Sequence, residues 1–187
     1  GGGINDFVGN VNKWLGGFRL YNGELQVIAD NNAAITGTDQ SANSAAWKAI
    51  LPDGSLVAPG TAGTLKFDYS GTPAAGTGNF YISTTIEHQQ ENDNAYGYCD
   101  FASMKAKSGV NIPDILKALA IYPMATSATG HGGFWFRNNG ERLLLRGGNY
   151  GRGGSAGEAN GDLSAPRSYA YDDLGFFCAY YDPEDLK

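Results

Sequence analysis

The sequence predicts an α+β fold of short antiparallel strands, two or three helices and long irregular loops. Short alternating or aromatic-rich runs at residues 64–69 and 80–86 have strand character. Ile112, Ile115, Leu116 and Leu119 mark one apolar helix face at i, i+3, i+4 and i+7. Twenty-eight glycines in 187 residues require many turns and leave little helix.

Residues 4–17 place Phe7, Val8, Val11, Trp14 and Leu15 at near-helical intervals before Gly16-Gly17 stops them. Phe18, Arg19 and Leu20 alternate like a strand. Tyr21-Asn22-Gly23-Glu24 then turns into Leu25-Gln26-Val27-Ile28, and Asn-Gly between apolar runs signals a hairpin. Residues 41–50 form a short helix candidate with Ser41 as N-cap and Trp47 on its buried side. Leu51-Pro52-Asp53-Gly54 is a turn. Residues 70–79, rich in Gly, Thr, Pro and Ala, read as an exposed loop. Residues 87–94 hold Glu87, His88, Glu91 and Asp93, which suit a solvated loop better than a metal or catalytic cluster.

The best helix starts near Asn111, with Pro113 in the first turn and Asp114 at the positive end of the dipole; Tyr122-Pro123 ends it. Residues 133–137 are a strand, residues 138–141 its turn, and residues 142–146 pair back as a hairpin.

One domain spans residues 1–187 in this reading, and the opening Gly1-Gly2-Gly3 fits a chain cut from a longer protein, as its C-terminal part. A net charge of −6 and a pI near 4.8 argue against nucleic acid, because no basic patch can neutralise phosphates. No run of 18 apolar residues occurs, so no membrane insertion is expected. Cys178, in an aromatic run, reads as a small buried hydrophobe; a disulfide to Cys99 stays open, and neither cysteine has metal-type spacing.

The functional weight falls on residues 143–181. Leu143, Leu144 and Leu145 form one stiff end, and Gly175 to Tyr181 the other. Between them lies a long soft stretch carrying Asn149, Tyr150, Gly151, Arg152, Ser155, Arg167, Ser168, Tyr169, Tyr171 and Asp172. Tyrosine and arginine set among Ser, Gly and Asn are the residue types of a binding surface, and a loop of this length is expected to be functional. Gly151-Arg152-Gly153-Gly154-Ser155-Ala156 matches a dinucleotide fingerprint only formally, since no helix can start at Gly157-Glu158-Ala159-Asn160-Gly161. His88 and His131 have no Ser or Cys partner at a recognisable elbow. Asp172 and Asp173 are adjacent and do not form a glycosidase pair.

Gly9-Asn10-Val11-Asn12-Lys13-Trp14, Arg146-Gly147-Gly148-Asn149-Tyr150, Ala165-Pro166-Arg167-Ser168 and Leu174-Gly175-Phe176-Phe177-Cys178 together resemble, in order, the motifs of the formylglycine-generating-enzyme branch of the C-type lectin fold. Within it the chain is most similar to the variable ligand-binding proteins of diversity-generating retroelements and to relatives in phage tail fibres. The resemblance implies a C-type lectin-like fold whose residues 143–181 form a variable ligand-binding region. The chain differs from the pattern at Tyr150, Gly151, Arg152, Ser155, Ser164, Arg167, Tyr169, Tyr171 and Asp172, and at several of these places the pattern usually has an Asn that adenine mutagenesis rewrites.

Lys13 replaces the acidic residue that helps hold a structural calcium in the enzymes; an ammonium there removes an anionic ligand and adds positive charge, so no cofactor is expected. The oxidase chemistry of that branch needs a reactive cysteine pair after Gly148, and residues 150–157 contain none. With that chemistry set aside, the resemblance to tail-fibre proteins implies a non-enzymatic receptor-binding domain at a virion tail tip, acting as a homotrimer against a bacterial surface receptor, protein or glycan. The segment 41–66 resembles an insert of phage tail proteins, which favours the virion over the alternative, an adhesin on the bacterial cell surface.

Overall fold

In the computed structural model, which describes residues 8–124 and 132–175, the chain runs through β1 (Asn12–Tyr21), β2 (Glu24–Ile28), β3 (Trp47–Ile50), β4 (Leu56–Val57), β5 (Lys66–Tyr69), β6 (Gly76–Gly78), β7 (Phe80–Ser83), β8 (Ala95–Asp100), α1 (Asp114–Ala118), β9 (Gly133–Phe136), β10 (Glu141–Gly147), β11 (Gly157–Leu163) and β12 (Leu174–Gly175). The strands join in one mixed sheet of order β4-β3-β2-β1-β10-β11-β9-β8-β6, with β5 beside β2, β7 beside β5, and β12 beside β1.

The α+β expectation is thereby corrected: the fold is β-rich, and five-residue α1 is the only α-helix among the described residues, accompanied by short 3-10 turns. Two further helices expected from the sequence do not form: the first, whose residues 4–7 with Phe7 lie outside the described residues, gives way to β1 from Asn12, and the second to turns at residues 41–46 followed by β3. Trp14 pairs with Leu145 and Leu15 with Leu144 as consecutive residues of β1, and Val11 lies just before the strand, so the spacing that reads as a helix face belongs to a strand and its approach. Further along β1, Leu15 pairs with Leu144 and Arg19 with Leu143, so residues 16–18 have no partner in β10 and bulge, although Phe18 pairs with Val27 of β2. In residues 41–46, side chains take the main-chain groups a helix would need. Asp39 accepts the Ser41 N–H (2.8 Å), Ser44 accepts the Ala46 N–H (3.1 Å), and the Trp47 indole donates to the Ser41 carbonyl (2.9 Å). Trp47 then starts β3.

The turn at Asn22-Gly23 is as predicted. Both residues have positive φ (47° and 81°), the twist that closes a two-residue hairpin between β1 and β2. The turn at residues 51–54 also forms, with Gly54 donating to the Leu51 carbonyl (2.9 Å). Residues 70–79 are largely exposed as expected, although β6 within them runs parallel to β8.

The expected hairpin of residues 133–146 does not form. β11 inserts between its arms, parallel to β9 and antiparallel to β10. Asn138 at the turn is fully buried, and its amide and main chain are bonded to Gln90 and His88 rather than across a hairpin. β11 also divides the stretch after β10 that had read as one continuous loop. The expected strand beyond Gly175 lies outside the described residues.

Phe67, Phe80, Phe134 and Phe136 pack edge-to-face or tilted at the centre of the core, with centroids 4.5–6.4 Å apart. Arg146 lies against the Phe134 ring and closes the strand β10 end. It donates to the carbonyls of Leu119 and Ala120 (2.8 Å each), and burial pushes its guanidinium down to about 10.

Candidate ligand-binding face

Alternation along β9 sends Phe134 and Phe136 into the core and Trp135 to the opposite face. Trp135 is in register with Tyr98 of β8 on one side and with Asp162 of β11 on the other. Asp162 is opposite Leu145 of β10, and Leu145 is opposite Trp14 of β1. Paired positions share a face, so Tyr98, Trp135, Asp162, Leu145 and Trp14 form one stripe across five strands. None of these five was singled out from the sequence as a ligand contact. The signal lay in the register, which needs the strand order.

The two halves of the loop divided by β11 fold back over this stripe. Residues 149–155 follow β10 and residues 166–173 precede β12. Asn149 joins them: its amide donates to the Asp173 carboxylate, to which Asn12 also donates (3.3 Å). Asn149 further accepts the Gly151 N–H (3.0 Å), and Tyr150 donates its N–H to the Asn10 carbonyl (3.0 Å). The backbone of this first half is thus fixed while the Tyr150 side chain remains 70% exposed.

Arg152 turns inward over the stripe. Its guanidinium stacks on Trp135 at 4.2 Å and pairs with Asp162 at 3.2 Å. Ser155 is half-buried, and its carbonyl accepts the Asn160 amide (2.8 Å). In the second half, Tyr169 and Tyr171 stack on each other with centroids 4.8 Å apart and planes 25° apart. Tyr171 is 66% exposed and Tyr169 half-buried, and burial raises the Tyr169 phenol above its ordinary range. Ser168 and Asp172 are exposed.

Arg167 is a fastener. It grips Glu141 with two bonds of 2.9 Å and donates to the Gln40 carbonyl (3.0 Å). Glu141 is simultaneously bonded to Arg19 at 2.6 Å.

Two adjoining depressions result. The deeper, of about 300 Å³, is lined by Tyr96, Trp135, Arg137, Arg152, Asp162 and Tyr169 among others. The shallower, of about 240 Å³, lies among Trp14, Tyr169, Tyr171 and Leu174. Tyr169 is the wall between them.

Neither a protein-family model nor a curated protein matches this chain.

Two places bear on metal binding. Lys13 is buried and pairs in register with Arg146, so two cationic residues adjoin where the resemblance implies a calcium ligand. Asp68, Glu87 and His88 bring ligand atoms within 4.8 Å of one another. The buried Asp68 carboxylate, however, already accepts the main-chain N–H groups of Glu87 (2.8 Å) and His88 (3.0 Å), and Glu87 is paired with Lys107. This arrangement pins the turn after β7. Among the described residues, no helix is long and apolar enough to cross a membrane.

Proposed function

We propose that this domain is a non-enzymatic receptor-binding module that presents residues 149–155 and 166–173 to a bacterial surface receptor from a β-rich scaffold. The observation that carries the reading is the union of the two loop halves, through Asn149 and Asp173, over one outward-facing aromatic stripe. Exposed Tyr150 and Tyr171 then stand on backbone that is already hydrogen-bonded. Rigid tyrosines give wide contact at low entropic cost, and neighbouring Ser168 and Asp172 add adaptable polar contacts.

The wider reading rests on the resemblance: a phage tail fibre setting host tropism, with retroelement diversification of the loops, or the same module as a bacterial adhesin. One such face gives modest affinity, so a homotrimer, in which linked copies bind together, suits adhesion. The decisive experiment is host-cell binding by the purified domain and its Tyr169→Ala/Tyr171→Ala double variant. Binding should vanish while the melting temperature stays within about 3 °C of the parent. Retained binding with a lost melting transition would assign these tyrosines to the core.

A further inference from the structure

We infer that the face recognises a carboxylate-bearing sugar chain, with the acid group seated in the deeper depression and the apolar face of a neighbouring sugar on Trp14 and Tyr171. This inference rests on the receptor-binding reading and specifies its ligand class.

The charge balance of the deeper depression is the first argument. In a chain of net charge −6, two guanidiniums, Arg137 and Arg152, face one carboxylate, Asp162. Arg137 spends its bonds on main-chain carbonyls, those of Ala95 (3.2 Å), Asp93 (3.0 Å) and Ser164 (3.3 Å), and has no carboxylate within ion-pair distance among the described residues. Asp162 is already engaged. One oxygen takes Arg152, and the other takes both the N–H (2.8 Å) and the hydroxyl (2.5 Å) of Ser164. A neutral sugar is held by carboxylates and amides whose lone pairs are open to hydroxyls. Here both Asp162 oxygens are occupied, the Asn12 amide oxygen is a buried lining acceptor without a hydrogen-bond partner, and two guanidiniums face that single carboxylate, a charge balance that favours an anion; planar guanidinium forks match a carboxylate.

The shape of the site is the second argument. Its floor comes from β1, β8, β9, β10 and β11, each of which has strand neighbours on both sides. Among the described residues, β9, β10 and β11 at its centre are paired along both edges, so an extended peptide has no main-chain ladder to join there. Only side chains meet the ligand. Aromatic faces beside hydrogen-bonding groups fit a sugar ring, which is apolar on one face and polar at its rim. The shallower depression supplies the aromatic faces without a charged residue, and Tyr169 adjoins both subsites.

The test is ligand-observed NMR titration of the full chain with three probes: oligogalacturonate, the same oligosaccharide after carboxyl reduction, and hexaglutamate. Oligogalacturonate should bind, with at least about tenfold weaker binding of the reduced form and of hexaglutamate. Arg152→Gln should lose about tenfold for oligogalacturonate with an unchanged far-UV spectrum, and Trp14→Leu should weaken binding while retaining the preference for the acidic form. Equal binding of the reduced sugar, preference for hexaglutamate, or no binding of any probe would overturn the inference. If cell binding still depended on Tyr169 and Tyr171 in those cases, the receptor-binding reading would stand without it.

Discussion

The guanidinium of Arg152 lies 4.2 Å from the centre of the Trp135 ring, joining a loop to a strand that precedes it by two elements. Trp135 is therefore both the floor of the deeper depression and the platform on which Arg152 is held near Asp162. A guanidinium over indole is worth about 0.5–2 kcal/mol. Trp135→Leu should release Arg152 and lower cell binding by about tenfold or more. Because Trp135 points away from the Phe67–Phe134–Phe136 core, the melting temperature should move by only about 3 °C. Parallel binding assays and thermal melts check this, and a large loss of stability would contradict the outward placement.

Glu141 supports the second loop half from below. It bridges Arg19, whose side chain is 5% exposed, and the more exposed Arg167. Burial alone would raise the Glu141 carboxyl, but hydrogen bonds from Arg167 and Arg19 outweigh it and hold the group below its ordinary range. Burial likewise draws Arg19 below its usual value against the pull of Glu141, yet a guanidinium remains charged. A carboxyl lowered in the folded state contributes stability above its unfolded value, lost as pH falls through the folded one. Glu141→Gln should cost about 2–3 kcal/mol near neutral pH, since it leaves Arg19 buried without its counter-charge. It should also flatten the loss of stability expected of the parent below about pH 4.5, as read from urea titrations of both proteins. A variant that loses stability in acid as steeply as the parent would exclude this role for Glu141.

How much could be read beforehand follows from which interactions are local. The Asn22-Gly23 hairpin and the turn at residues 51–54 depend on near neighbours, and both are present; the helix expected from near Asn111 to Tyr122 shrinks to Asp114–Ala118, with Leu116 buried and Ile112 and Leu119 outside it. Strand β1 and its approach carry apolar residues at spacings that also suit a helix, and serine and aspartate turns replaced a helix before Trp47. Tyr150, Arg152, Tyr169 and Tyr171 were visible because tyrosine and arginine among small residues are unusual in a core. Trp14, Trp135 and Asp162 were not, because they become neighbours only after β11 has threaded between β9 and β10. The same threading makes Arg167 a fastener, through a glutamate 26 residues away.

That threading brings β11 close to the core at Gly161. A Cβ there would stand 2.3 Å from Cε2 of Phe134 and 3.1 Å from Nη1 of Arg146. The Phe134 ring is fully buried among other aromatics and cannot retreat. Gly161→Ala should therefore cost about 2–3 kcal/mol, an overpacking penalty. Gly154→Ala, in open space, should be close to neutral. Chemical denaturation of the two variants checks the contrast. Similar stabilities would mean that β11 does not lie against Phe134.

The buried Tyr69 makes the fold sensitive to alkali. Its hydroxyl donates to Gln90 at 2.7 Å, and Gln90 in turn accepts the main-chain N–H of Asn138 (3.0 Å) and thereby holds the turn before β10. Burial pushes the phenol up to about 12, from an ordinary value of 10.0. An acid raised in the folded state keeps its proton there after the unfolded chain has released it. Its stabilising contribution is complete below about pH 10 and is lost as pH rises toward about 12, amounting to roughly 2 kcal/mol. Cys99, whose thiol burial also pushes up to about 12, acts in the same direction, so total alkaline loss should exceed the Tyr69 share. Tyr69→Phe separates the two. Near neutral pH it should cost about 1 kcal/mol, because Gln90 loses a donor. Between about pH 10 and 12 its stability should fall less steeply than that of the parent, so the two curves converge. Urea unfolding at pH 8, 10 and 11 measures that convergence, and curves that stay parallel would show that the Tyr69 phenol is not what alkali acts upon.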